Sequence, residues 1–311
     1  MSSEDTHNKQ APRERIAIGP EALDDRILTL QRRSAGIVTR ETIGTSVCGR
    51  SIAALCIGRG RRQLHVNAAF HANEWITSLL LMRFLETLTW ALQDKETLRG
   101  VDVAKLCEAV RLWAVPMVNP DGVALVVDGL PQQAEHAAHV LRCNGGSRRF
   151  EDWKANIRGV DLNDQFPAHW EAECARRERE GPGPRDYPGP HPLSEPEAAA
   201  LARLTERERF ELVVALHTQG EEIYWNYRGY EPPEAEGLAR RLAAASGYEA
   251  VRLTDSDAGY KDWFIQRFGR PGFTVEAGLG VNPLPLADFD VIYDKVEALL
   301  LEAMSATAQQ T

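Results

Sequence analysis

The chain has 311 residues, of which 43% are hydrophobic and 26% charged, the balance of a globular protein with a sizeable core and room for one large α/β domain or two small ones. Its formal net charge of −9 argues against a nucleic-acid footprint, which needs clustered Lys and Arg. No run approaches the roughly 18 apolar residues of a membrane span, and the polar first residues contain no secretory signal.

In chain order, residues 1–12 are polar and are expected to form a disordered tail. Residues 18–33 predict a helix, with Pro20 near its start and Leu23, Ile27, Leu28 and Leu30 at helical spacing. Residues 36–43 and 51–57 predict a hairpin around a Cys-Gly-Arg turn. Residues 63–70 form a buried strand and 75–92 a long apolar helix. A strand at 111–118 is closed by Asn-Pro-Asp-Gly at 119–122, expected as a tight reversal. Residues 123–192 lack periodicity, and a stretch of that length is either disordered or functional. Ser194 is expected to cap a helix reaching to 206, with Glu197 completing a capping box. Strands at 210–217, 222–227, 250–254 and 272–276 then alternate with helices at 233–246, 260–268 and 289–304. This alternation implies an α/β fold, a mostly parallel sheet with helices on both faces. No linker interrupts it, so residues 13–311 are expected to form one catalytic domain.

Ligands in such a sheet sit at the carboxyl ends of the strands. The strand at 63–70 runs into His71 and, three residues on, Glu74; the strand at 210–217 ends in His217; the strand at 272–276 ends in Glu276. Taken singly, each has a bland explanation: a surface histidine, a first-turn glutamate favoured by the helix dipole, a structural histidine, a salt-bridge carboxylate. Together, His71, Glu74 and His217 make the two-imidazole, one-carboxylate set that binds one zinc ion and leaves a position open for water. Glu276 is the spare carboxylate such a site needs as general base and acid. The five cysteines, Cys48, Cys56, Cys107, Cys143 and Cys174, are odd in number and irregularly spaced, which suits reduced thiols and a cytoplasmic location.

Seven separated pieces keep the order of a known family: His-Ala-Asn-Glu at 71–74, Asn-Pro-Asp-Gly at 119–122, Gly-Val-Asp-Leu-Asn at 159–163, Ser-Glu-Pro-Glu at 194–197, Leu-His-Thr at 216–218, Asp-Trp at 262–263 and Phe-Thr-Val-Glu at 273–276. The chain thereby resembles the zinc metallocarboxypeptidases over most of residues 35–305. The resemblance implies a mixed, mostly parallel eight-stranded sheet, a single zinc on His71, Glu74 and His217, and Glu276 as general base. It also implies a cation that polarises the scissile carbonyl; Lys154 stands at the matching distance before Asp161, and Arg158 is the alternative.

Where the family carries an arginine for the substrate's terminal carboxylate, this chain has Asp164, with Asn163 beside it as a substrate contact. A carboxylate does not bind a carboxylate, so Asp164 is expected to take an ammonium group. Lys261, at the position that sets pocket specificity, is expected to take an extra carboxylate. The family's loop tyrosine falls at Thr254, so its role is absent or passes to Tyr260. Diaminopimelate carries both an extra ammonium and an extra carboxylate. The chain thus resembles the bacterial γ-D-glutamyl-diaminopimelate peptidase branch, which implies a small murein stem peptide as substrate, a role in wall-peptide recycling, and no nucleic-acid or membrane partner. The alternatives are a zinc carboxypeptidase or amidase for other acylated amino acids, and an inactive peptide-binding module. The last leaves Glu276 without a purpose.

Overall fold

The computed structural model describes residues 16–309; the expected tail at 1–12 lies outside the described residues. Helix α1 (Pro20–Arg33) leads into the hairpin β1 (Val38–Thr45) and β2 (Ser51–Ile57). Strand β3 (Arg62–Ala68) is followed by a one-turn 3-10 helix, Ala72–Glu74, and by α2 (Ile76–Asp94). A short ribbon, β4 (Thr97–Leu98) and β5 (Val101–Asp102), precedes α3 (Val103–Ala109), β6 (Val110–Val115) and α4 (Pro120–Val127). Helices α5 (Ala134–Cys143) and α6 (Trp170–Arg177) lie in the long middle segment. The chain continues through α7 (Pro196–Glu208), β7 (Leu212–His217), β8 (Glu222–Tyr224), α8 (Ala235–Ser246), β9 (Glu249–Val251), α9 (Tyr260–Phe268), β10 (Gly272–Glu276) and α10 (Phe289–Gln309).

Eight strands form one mixed sheet in the order β1-β2-β6-β3-β7-β10-β8-β9. Its centre, β6-β3-β7-β10, is parallel throughout; β1, β2 and β8 pair antiparallel, and β9 runs parallel to β8. The central strands are buried on both faces because both faces are covered; β7 is apolar from Leu212 to Leu216, whereas β3 sets Leu64, Val66 and Ala68 on one face and the buried polar His65 and Asn67 on the other. Along β7, Leu212, Val214 and Leu216 enter one core with residues of α1, α2, α3, α8 and α10, whereas Val213 and Ala215 enter a second core with α7 and α9. Helix α2 is buried almost all round, which explains why its apolar residues do not keep to one stripe. A smaller cluster of Phe150, Trp153, Ala155 and Ile157 packs on Ala72 and seats the middle segment against the end of β3.

Parallel strands share one direction, so β3, β7 and β10 deliver their C-terminal residues to the same sheet edge. The register is level there: Ala68 lies opposite Leu216, and His217 opposite Glu276.

The structure departs from the sequence reading in three places. Asn-Pro-Asp-Gly is not a reversal. Asn119 caps α4, accepting from Gly122 N at 3.0 Å, and Pro120 occupies the first turn, where a missing N–H is harmless. A Cβ on Gly122 would lie 2.5 Å from Ala155 O, which accounts for the glycine. The Ser194–Glu197 capping box does not form either: α7 starts one residue later, Ser194 Oγ donates to Gln165 Oε1, and buried Glu197 accepts from Val47 N. The first turn of α7 is packed inside the protein, so its polar groups serve neighbouring loops. Finally, residues 123–192 hold α5, α6 and most of α4, with loops tied by backbone bonds such as Lys154 N to Pro184 O and Asp161 N to Tyr187 O.

Asn119 does more than cap. Its fully buried amide also donates to Phe70 O at 3.0 Å and Ala155 O at 3.1 Å, joining the end of β3 to the middle segment. Asn119→Ala removes the cap and the amide donor to Phe70 O, while Ala155 O keeps Trp153 Nε1 at 2.9 Å. It is expected to lower stability by about 2–4 kcal/mol, read as a drop in urea midpoint at unchanged slope.

Candidate metal centre

His71 follows β3 with extended backbone and is succeeded by the 3-10 turn that swings Glu74 back toward it. Thr77 Oγ1 locks this turn, accepting from Ala69 N and donating to Glu74 O. His71 Nδ1 lies 2.8 Å from Glu74 Oε1, His217 Nδ1 lies 3.0 Å from Glu74 Oε2, and the two Nδ1 atoms are 3.3 Å apart. One ligand atom from each of the three residues lies within 4.8 Å of the other two, and all three residues are buried. Phe70 stacks parallel on the His217 ring at 5.8 Å and holds its plane.

Two imidazole nitrogens facing each other beside a carboxylate repel unless a proton or cation lies between them. Burial favours a neutral His71, but the charges of Glu74 and Asp161 outweigh it and raise the ring to about 10. His217 is pushed down, by burial first and against the pull of Glu74, and stays neutral. Burial likewise works against an ionised Glu74, yet His71 and His217 hold it well below the usual carboxylate range. The set therefore contains one proton that a divalent cation can displace, as metal binding to imidazole and carboxylate requires. Nitrogen and oxygen donors in a three-residue set fit one zinc ion.

A carboxylate not singled out from the sequence completes the support of this set. His71 Nε2–H donates to Asp161 Oδ1 at 3.2 Å, which leaves Nδ1 as the ligand atom. Asp161 also accepts from Asn163 N at 3.1 Å and Asp186 N at 3.3 Å. Burial favours its neutral acid, but His71, followed by Arg177 and Lys154, keeps it below the usual carboxylate range. The one signal in the sequence was its place in Gly-Val-Asp-Leu-Asn.

Glu276 lies at the same edge, opposite His217 in the parallel register. Burial and the negative charge of Glu74 push its carboxyl up to about 8, against the opposing pull of His71 and Lys154. Lys154 Nζ stands 3.7 Å from Glu74 Oε1, and the Lys154 carbonyl accepts from Ala72 N, so this loop is pinned to the metal-ligand turn. Arg158 is instead half exposed and turned toward Glu195 at 3.5 Å.

The expected substrate-binding residues are placed differently. Tyr260 is corrected: its ring is fully buried and its hydroxyl bonds Thr205 Oγ1 at 2.9 Å, because the apolar face of α9 turns it into the core. Lys261 is 4% exposed and committed inside the protein, donating to Asn226 O at 2.7 Å and pairing with Asp262 at 2.5 Å, so it is not an open carboxylate reader. Asp164, expected to take a substrate ammonium, is buried against Arg177 of α6. Asn163 is partly exposed, and its carbonyl accepts from Tyr260 N at 3.4 Å.

Comparison with known proteins bears on this geometry directly. The model of the zinc carboxypeptidase family matches residues 24–278. The chain belongs to that family. Among individual relatives, it is 48% identical over 262 residues to gamma-D-glutamyl-L-diamino acid endopeptidase 1 of Lysinibacillus sphaericus, covering 84% of this chain and 66% of that protein. The chain thus spans just under two thirds of that relative's length. Among solved structures, bovine thrombin-activatable fibrinolysis inhibitor, in complex with tick carboxypeptidase inhibitor, superposes with a TM-score of 0.73 at 19% identity, covering 95% of this chain and 98% of that one. A murein-tripeptide amidase from Escherichia coli O157 superposes with a TM-score of 0.53 at 22% identity, covering 85% and 91%. At these identities the two structures establish the fold, a carboxypeptidase sheet with its helices.

Proposed function

We propose that this protein is a zinc peptidase that hydrolyses the γ-D-glutamyl–diaminopimelate amide of murein stem peptides, with residues 13–311 as a single catalytic domain. The chemistry rests on one observation: the His71, Glu74 and His217 ligand atoms converge at a sheet edge that also carries Glu276, with Lys154 Nζ 3.7 Å from Glu74. The choice of bond rests on the 48% identity to the Lysinibacillus enzyme named for cleaving γ-D-glutamyl-L-diamino acid peptides.

Zinc, when bound by His71, Glu74 and His217, supplies a Lewis acid that polarises the amide carbonyl and makes water more acidic. Glu276 takes the proton of the attacking water and returns it to the departing amine. Its buried position raises the carboxyl above the ordinary range, the direction a group that must both take and return a proton requires. Lys154 places a positive charge beside the carbonyl oxygen as that oxygen becomes anionic. Asn163, partly exposed on the 3-10 turn that follows Asp161, contacts the leaving residue, and Asp164 is buried on the same turn against Arg177. No helix among the described residues is long and apolar enough to cross a membrane. The five cysteines are free thiols, consistent with work in the cytoplasm on recycled wall peptides.

Incubation with L-alanyl-γ-D-glutamyl-meso-diaminopimelate should release free diaminopimelate and L-alanyl-D-glutamate, identified by mass spectrometry. Release of only C-terminal residues from ordinary peptides would instead make the protein a plain carboxypeptidase.

A further inference from the structure

Arg177 was not singled out in the sequence, yet it reaches Asp164, which closes the 3-10 turn Leu162–Asp164 begun by Asp161, the residue that holds His71. Asp164 is 3% exposed. Arg177 Nη2 donates to its Oδ1 at 3.1 Å, and Arg177 Nη1 donates to Asp186 Oδ1 at 3.0 Å. The remaining contact is close but poorly aimed: Arg177 Nε lies 2.9 Å from Asp164 Oδ2 and 2.6 Å from Glu173 Oε1, yet neither oxygen receives a directed hydrogen bond and Nε has no aligned acceptor. The pair thus holds a buried acceptor and a buried donor that are both incompletely satisfied. About a third of the Arg177 side chain is exposed, although its Nε is buried, whereas the Asp164 side chain is almost fully covered.

A buried charge is tolerated only when paired. A ligand bearing an ammonium and a carboxylate on one carbon can exchange with such a pair, charge for charge. A ligand bearing only one of them breaks the Asp164–Arg177 contact without replacing both of its halves, leaving Arg177 to Asp186 and the poorly aimed Glu173 contact or Asp164 unmatched. Lys261 does not compete for the carboxylate, because both of its polar contacts are internal.

We propose that Asp164 and Arg177 together form the receptor for the zwitterionic end of the leaving diamino acid: the ligand ammonium takes the place of Arg177 at Asp164, and Arg177 turns onto the ligand carboxylate. This rests on the reading above that the scissile bond is a γ-D-glutamyl amide, and it makes Arg177 the residue that separates diaminopimelate from lysine.

The test uses four L-alanyl-γ-D-glutamyl substrates whose leaving residue is meso-diaminopimelate, lysine (no distal carboxylate), 2-aminopimelate (no distal ammonium) or norleucine (neither). In the wild-type enzyme kcat/KM for diaminopimelate is expected to exceed the others by roughly ten- to a hundredfold, the range of charge-assisted hydrogen bonds. Lysine and 2-aminopimelate are expected to be little better than norleucine, since each breaks the pair for a single contact. Arg177→Gln should abolish the diaminopimelate advantage and raise lysine above norleucine, because Asp164 is released. Asp164→Asn should do the converse and raise 2-aminopimelate. Arg177→Lys keeps the charge, guards against a folding defect, and should retain part of the preference. Zinc content should be unchanged in all three variants. Equal loss on all four substrates, or a wild-type enzyme that treats lysine and diaminopimelate alike, overturns this inference while leaving the peptidase reading intact. No cleavage of any of the four overturns both.

Discussion

Glu276→Gln is expected to reduce kcat by on the order of 10²–10⁴-fold while leaving zinc content and fold intact, because an amide cannot carry a proton from water to the departing amine. The substitution is nearly isosteric, and the side chain lies at the end of a strand whose other residues carry the packing. The pH dependence of stability gives an independent check on the metal-free protein. Burial and the Glu74 charge raise the Glu276 carboxyl from the ordinary 4.5 to about 8. Between those values the folded protein therefore holds a proton that the unfolded chain has released, and stability falls as pH rises through this window. Removing the carboxyl removes that penalty. Metal-free Glu276→Gln should thus be more stable than metal-free wild type at pH 8, and the difference should vanish toward pH 4.5. Thermal melts of the two proteins across that range, beside single-turnover kinetics of the zinc-loaded forms, decide the matter. Full activity in Glu276→Gln would move the general base elsewhere, with Glu221 and Glu222 the nearest carboxylates in sequence after His217.

His71→Ala is expected to lose tightly bound zinc. It deletes one of three donors and takes the imidazole N–H from Asp161, leaving that buried carboxylate the backbone donors Asn163 N and Asp186 N. Removing a supporting hydrogen bond alone typically costs 10- to 100-fold in metal affinity, and removing a donor costs at least that much. The measurements are zinc per chain after dialysis against a weak chelator and the chelator concentration that halves activity. Asp161→Asn provides the graded comparison: it keeps a side chain against the imidazole and should retain zinc with affinity reduced within that 10- to 100-fold range. A His71→Ala protein that still holds one zinc per chain through the same treatment would remove His71 from the metal set.

What was legible in the sequence follows from periodicity and from residues placed at element ends. The alternation of β3, β7 and β10 with helices was readable because the strands are short, with an apolar run at Leu212–Leu216 and alternating apolar residues at Leu64, Val66 and Ala68. The boundaries of α9 and β10 agree with their residue pattern to the residue. His71, Glu74, His217 and Glu276 could be brought together from sequence alone, since parallel strands in one sheet must deliver their C-terminal ends to one edge. Position along the strand then determines position in space.

Three things depended on the tertiary structure. Asn119 looked like a turn former, but its amide turned out to bridge β3 to the middle segment, because Phe70 O, Ala155 O and Gly122 N converge on it only after folding. Asp161 and Lys154 come from a stretch without periodicity; their places are set by loop contacts to Ala72 and Tyr187 that no local pattern encodes. Asp164 and Lys261 could be assigned charges but not exposures. A charged side chain next to a site faces a ligand or a protein partner according to what lies within about 3 Å, and that partner can come from a distant element. For Asp164 it is Arg177 of α6, and for Lys261 it is the carbonyl of Asn226 with its own neighbour Asp262. The sequence by itself determined the sheet, the metal donors and the place of Glu276 beside them, because those follow from strand direction and residue type. The exposure and pairing of the charges beside them were decided only by packing, because a buried charge must find its partner wherever the fold brings one.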